Sequence, residues 1–387
     1  MPFVPPYPRR HEKPLPPWSM FRAARHNLLE VWTERAFHQE AFRYTLFRRH
    51  LFVANSPDTV REAFIEDAAN NHRKSMQQIH ALKPLAGDGL IISDGETWRQ
   101  RRRVVAPLTH ISKLADLAPV MAEAAGERLA QWRRRAGQEV EMMAEMAELT
   151  ADIISRAVFG SRLGREHAAA AVRGFAEYQA AIGQTDLLSL IGLPDSFPRF
   201  HSRAVKRGAE RVHGVVDALI AAIVSGDSAA DPSFARDLAD KLGGGVALRN
   251  EAVVMFLAGH ETTANTMAWA WYLLSQDPAS RARLEAEVDA LDTDVPGFDD
   301  LPKLPFVRAV IDETLRLYPP IPLQARRSAE DRTIAGREVP ANSIVLLVPW
   351  LLHRHKALWE EPDTFAPERF LPGGAGAPNR YCYVPFS

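Results

Sequence analysis

Apolar residues run through positions 253–274 almost without interruption, and the interruption is gathered at the centre, in Ala258-Gly259-His260-Glu261-Thr262-Thr263. Val254, Met255, Phe256, Leu257, Met267, Trp269, Trp271, Leu273 and Leu274 surround a helical axis nearly all round, the pattern of a helix that crosses a core. Asn250 can cap its first turn, Glu251 suits the positive end of the helix dipole, and Asp277-Pro278 closes it. The polar centre works against helix propensity, since glycine is worth about 1 kcal/mol less than alanine there. Ala258 and Thr262 stand i, i+4, and Gly259 lies one turn below Thr262 and Thr263, so small residues open one face to a flat ligand. Glu261 sets a carboxyl beside the Thr262 hydroxyl, a pair able to pass protons into a closed site. A kinked helix with a buried, hydrogen-bonded threonine would show the same residues.

A second helix is bracketed by Pro305 at its start and Tyr318-Pro319-Pro320 after its end. Phe306, Val310, Glu313 and Leu317 share one face, which sets a carboxylate on an apolar stripe. Unpaired, it would be expensive to bury, so it is expected to pair with Arg316, and Arg369 of Pro367-Glu368-Arg369-Phe370 is available as a second guanidinium. An exposed i, i+3 ion pair is the plainer reading of Glu313 and Arg316. Further upstream, Ser93-Asp94-Gly95-Glu96 reads as a capping box for a short helix over 97–106. Its Trp98 and Arg102 share a face, and an indole N–H beside a guanidinium suits a carboxylate or phosphate. Arg99, Arg101, Arg102 and Arg103 would also make a solvated basic face.

The remaining pattern predicts a strand over 45–53, helices over 58–69, 111–132, 139–158, 165–182 and 198–224, and another starting at Pro278. A hairpin is expected over 332–348, with Gly336 in the turn and a buried strand at 344–348. Segments 76–90 and 187–200 read as access and pocket loops, the second with Leu187, Leu188, Leu190, Ile191 and Leu193 for an apolar guest. Helix outweighs strand, so the expected fold class is mainly α with a small β-sheet. No linker divides residues 1–387, and residues 1–20 read as an extended proline-rich arm.

In this order and spacing the motifs resemble those of the cytochrome P450 family. Ala258-Gly259-His260-Glu261-Thr262-Thr263 is similar to its oxygen-activation motif, Glu313-Thr314-Leu315-Arg316 to its Glu-x-x-Arg signature, and Pro367-Glu368-Arg369-Phe370 to its Pro-Glu-Arg-Phe element. Asp94-Gly95-Glu96-Thr97-Trp98 with Arg102 looks like the helix that holds one haem propionate, and Arg326 like the arginine that meets the other. The resemblance implies haem b (iron protoporphyrin IX), O2, and NAD(P)H electrons arriving indirectly through a ferredoxin or flavoprotein reductase. Glu261 and Thr262 would be the catalytic pair. Trp98, Arg102, Ala258, Gly259, Arg326 and Phe386 would contact the cofactor, while Glu313, Arg316 and Arg369 would be structural. Phe386 matches the phenylalanine that opens the family's haem-ligand loop, whose cysteine would fall beyond Ser387. The expectation is therefore a P450 fold incomplete at its C-terminus, with no metal ligand among these residues.

Composition narrows the reading. The 387 residues are 46% hydrophobic and 25% charged with net charge -1, which supplies a large core and no electrostatic footprint for nucleic acid. The single cysteine, Cys382, excludes a disulfide framework, points to a reducing compartment, and lies out of register for the haem ligand. It reads as a small buried hydrophobe. Without a signal peptide or an anchoring helix, the expected setting is cytoplasmic. The function expected is insertion of one oxygen atom of O2 into an apolar small molecule. A haem-free, truncated remnant acting as a binding or scaffold protein is the alternative.

Overall fold

Residues 3–46, 49–66, 72–182, 201–225, 233–376 and 379–386 are described by the computed structural model. Expectations for the pocket loop at 187–200 lie outside them. The predicted central helix is present and longer than expected, Val246–Gln276. Asn250 is not its cap. Gly245, at φ 86°, turns the chain into the helix five residues earlier. Asn250 is instead buried, and its side-chain amide donates to Asp88 at 2.7 Å. Glu251 beside it is fully buried, accepting the Leu90 N–H at 3.2 Å and lying 3.4 Å from the Arg101 guanidinium. The loop before the arginine-rich helix is thus tied to the central helix. Gly87 permits this approach, since a Cβ there would lie 2.2 Å from the Asn250 amide nitrogen.

Helix Met142–Phe159 lies along the central helix and buries Met146, Leu149, Ala151, Val158 and Phe159. Helices Ser161–Ala181 and Arg203–Ser225 extend this layer, and Val205, Val212, Val216, Leu219 and Ile223 join the central helix's Leu248, Val253 and Leu257 in the largest apolar cluster. The expected 139–158, 165–182 and 198–224 helices match these within a few residues. Ile111–Arg134 runs slightly past its predicted end. The predicted 58–69 helix is one turn, Pro57–Arg61, followed by a wider turn over Glu62–Glu66.

The single strand predicted over 45–53 is an antiparallel hairpin, β1 (Ala41–Leu46) and β2 (Arg49–Ala54). Together with β3 (His72–Lys74), β4 (Gln324–Ser328) and β7 (Ile344–Leu347) it forms a five-stranded sheet ordered β1-β2-β7-β4-β3. The predicted 332–348 hairpin is shorter: β5 (Arg332–Ile334) pairs with β6 (Arg337–Val339) around Gly336 at φ 68°, and β7 leaves it for the larger sheet. The reason is burial. All four β7 residues are buried, so they need neighbours on both edges, which β2 and β4 provide.

The proline-rich arm ends at a helix, Pro17–His26, and its extended part is docked onto the body. The Phe3 carbonyl accepts from the Phe365 N–H at 3.0 Å, and the Tyr318 hydroxyl donates to the Pro6 carbonyl at 2.6 Å. Arg10 bonds Glu34 and Asp363 while lying over the Phe37 ring. Among the described residues, no helix is long and apolar enough to cross a membrane.

Helix Pro305–Leu317 has the bounds its prolines predict, and Phe306, Val310, Glu313 and Leu317 are all buried. Glu313 and Arg316 are both fully buried and form a two-pronged pair, Nε to Oε2 at 2.6 Å and Nη2 to Oε1 at 2.8 Å. The remaining Arg316 donors reach the carbonyls of His353 at 2.8 Å, Pro362 at 2.6 Å and Thr364 at 3.0 Å. Every N–H of that guanidinium therefore has an acceptor. Glu313 also accepts from the Ala366 N–H at 2.9 Å and from Arg369 Nε at 3.4 Å. Removing one partner of such a node leaves the other charged and dry, at a cost of about 3–5 kcal/mol. Glu313→Ala is expected to lower unfolding free energy by that amount in denaturant titration, with Glu313→Gln, which keeps an acceptor, losing less.

Candidate functional site

The polar knot falls at mid-helix, where the surroundings thin on one side. Ala258 is exposed and Thr262 half-buried, although residues a turn away on the other face are core. The Thr262 hydroxyl donates to the Ala258 carbonyl at 2.6 Å, and that of Thr266 to the Thr262 carbonyl at 2.9 Å. Such back-bonds compete with the helix ladder and open it locally. Glu261 is half-buried beside them. Gly259 has a packing task. A Cβ there would lie 2.6 Å from Ile154 Cδ1, so the missing side chain lets helix Met142–Phe159 pack close. His260 also points into this packing, against Phe256 and Phe175, and burial pushes its ring down to about 4, so it is neutral.

Beyond Thr262 the same face continues through Asn265 and Trp269, one and two turns on. They border a cleft of about 520 Å³ whose other walls include Tyr318, Pro320, Pro322 and Trp350. Trp269 stacks flat on Tyr318, with centroids 3.8 Å apart. Among the described residues, no charged side chain lines this cleft. A second cleft of about 330 Å³, bordered by Arg43, His50, Phe52 and Glu338, lies at the outer sheet and contains none of the expected site residues.

The short helix is Gly95–Val105, and the expected capping box does not form. Asp94 turns its carboxylate to the Lys74 N–H instead, at 2.9 Å, joining the helix start to β3. The four arginines divide. Arg101 turns inward to Asp88 and Glu251, Arg99 lies 3.6 Å from Glu96, and Arg102 and Arg103 are exposed, Arg102 with Trp98 on its face, at 38% exposure. Lys74 is a member of this region that its sequence context does not mark. Strand pairing sets it directly opposite Arg326 on β4. Burial, then the charge of Arg326, pushes Lys74 down to about 8, with Asp94 opposing; burial also lowers Arg326. Two half-buried cations facing one carboxylate are short of negative charge, which an anionic ligand would supply. The residues present thus fit a group with two carboxylates, such as haem b.

Cys382 is fully buried, and burial raises its thiol above the usual range, as a small hydrophobe requires. Phe386 is 75% exposed. Glu313, Arg316 and Arg369 meet as one node, away from the open face of Thr262. No cluster of three or more His, Cys, Asp or Glu side chains able to hold a metal occurs among the described residues.

The chain matches the family model described as Cytochrome P450 over residues 14–387. Cyclooctatin synthase of Streptomyces melanosporofaciens is 32% identical over 361 residues, covering 90% of this chain and 77% of that protein. Cyclooctat-9-en-7-ol 5-monooxygenase of the same organism is 28% identical over 347 residues, covering 87% and 73%. The crystal structure of the cytochrome P450DA heme domain superposes with a TM-score of 0.80 at 24% identity, over 98% of this chain and 86% of that one, a likeness of fold. The family's chemistry is haem-thiolate monooxygenation, and its cofactor is haem b. Mainly helical, with a small sheet and with its motifs spread along the whole match, this chain belongs to the cytochrome P450 family.

Proposed function

We propose that the protein inserts one oxygen atom of O2 into a neutral, largely apolar organic molecule, drawing NAD(P)H electrons through a separate ferredoxin or flavoprotein reductase. The observation that carries this reading is the open face of the central helix, where the Thr262 hydroxyl is held at 2.6 Å from the Ala258 carbonyl in an otherwise apolar wall. When bound, haem b supplies the activation of O2. In this reading Lys74, Arg326, Trp98 and Arg102 would hold its two propionates, and the small side chain of Ala258 would leave room for it. Thr262 Oγ1 holds a proton at that face, donating it forward when the bond to Ala258 is released. Glu261, half-buried and next in sequence, returns a proton from the rim. The cleft beyond, walled by Trp269, Tyr318 and prolines, favours a guest without charge. Glu313, Arg316 and Arg369 keep the scaffold behind the site fixed.

The deciding experiment compares the reduced, carbon-monoxide-bound spectrum of the 387-residue chain with that of a version extended so that Phe386 opens a Phe-x-x-Gly-x-x-x-Cys loop. A thiolate-type Soret band in the extended chain is expected; failure of both to take up haem would favour the haem-free binding protein. Thr262→Ala is expected to cut product formed per electron pair by at least about tenfold and to raise peroxide accordingly. Haem affinity should also depend on Lys74. With its free-state value near 8, lysine is charged below that pH, and anion binding raises it. Affinity is therefore level below pH 8 and declines above it, and titration of Lys74→Met should show weaker binding without that decline.

A further inference from the structure

Thr150 lies on helix Met142–Phe159, outside every motif that the sequence singles out, and is 2% exposed. Its hydroxyl is 2.8 Å from the Met146 carbonyl and 3.3 Å from the Ala147 carbonyl, the ordinary back-bonds of a helical threonine. It is also 3.0 Å from the carbonyl of His260, which belongs to the central helix. This last contact crosses the interface and ends one residue before Glu261 and two before Thr262.

We propose that Thr150 is a positioning residue for the oxygen-side pair Glu261 and Thr262, an inference that rests on the function proposed above for that pair. Three threonine hydroxyls lie within donor reach of helix carbonyls here: Thr262 of Ala258, Thr266 of Thr262, and Thr150 of His260, the last sharing its single proton between His260 and its own helix's Met146. Carbonyls two residues apart point roughly 200° apart around the axis, so Thr150 pulls from the face opposite the other two. A helix drawn from one side bends, whereas one drawn from both sides opens in place. One turn along, Ile154 fills the space left by Gly259, so the same neighbouring helix grips two consecutive residues. Rotation of the knot about its axis is blocked by the side chain of Ile154, and its opening is fixed by the hydroxyl of Thr150.

The test uses Thr150→Val, which keeps shape and loses the donor, and Thr150→Ser, which keeps the donor. Amide hydrogen exchange is measured on the full haem-free chain. In Thr150→Val the His260 carbonyl serves the Ala264 N–H alone, so exchange at Ala264 should slow by about fivefold, with Thr150→Ser near the parent. Unchanged exchange at Ala264, or Thr150→Ser behaving like Thr150→Val, overturns the proposal. A merely structural loss would instead speed exchange along the whole helix, which also overturns it. In haem-loaded enzyme, Thr150→Val should raise peroxide per product severalfold with KM unchanged, and Thr150→Ser should restore coupling. Because the exchange measurement needs no haem, its failure counts against the positioning role, whereas failure to take up haem counts against the proposed function.

Discussion

A carboxylate at zero exposure is the condition on which much of this structure depends. Glu313 cannot be buried charged without strong donors, and it has them from Arg316, Arg369 and a backbone N–H. Arg316 in turn draws in three carbonyls, from His353, Pro362 and Thr364, which have no helix or sheet partner of their own to organise them. The node therefore gives shape to an irregular stretch near the end of the chain by hydrogen bonding alone. His353 shows how dry that stretch is. Burial and the neighbouring arginines push its ring down to about 3, and as a neutral acceptor it takes the Val384 N–H at 2.9 Å.

From this node the constraint passes outward. Helix Pro305–Leu317 is fixed at its C-terminal end, which sets Tyr318, and Tyr318 both stacks on Trp269 of the central helix and holds the N-terminal arm at Pro6. Asp363 lies between Arg10 of that arm and Arg354, a buried guanidinium resting on the Trp350 ring at 3.6 Å. The two chain ends are thus joined to the same body through aromatic faces and shared carboxylates. The opposite end of the central helix is tied by Asn250 and Glu251 to the loop at Gly87 and Leu90. Between those two attachments lies the knot, where Ala258 and Thr263 are exposed.

Residues that act at such a face need a rigid back. The central helix has one in helix Met142–Phe159, whose Ile154 occupies the space above Gly259. Dense packing of this kind transmits small displacements, so the neighbouring helix and the knot move as a unit. On the other flank the cation pair Lys74 and Arg326 is created by strand pairing, since β3 and β4 are far apart in sequence and only their antiparallel register sets the two side chains opposite.

The sequence by itself determined whatever depends on period and punctuation. The all-round apolar run of the central helix, the stripe through Glu313, and the proline brackets at Pro305 and Tyr318-Pro319-Pro320 each report on a single element, and each was legible. The order of four motifs identified the family for the same reason, because order and spacing are properties of the chain. Tertiary structure decided what depends on neighbours. Asn250 can cap a helix in any context, but the loop at Gly87 recruits it as a donor to Asp88. Gly259 gives no sign in the sequence that its missing side chain makes room for Ile154. Asp94 takes the Lys74 N–H, and Lys74 carries no local mark at all. In each case the choice lies between two satisfactory partners for one polar or small residue. Local propensities differ by tenths of a kcal/mol, whereas burial fixes the outcome by the larger penalty of leaving a group unpaired.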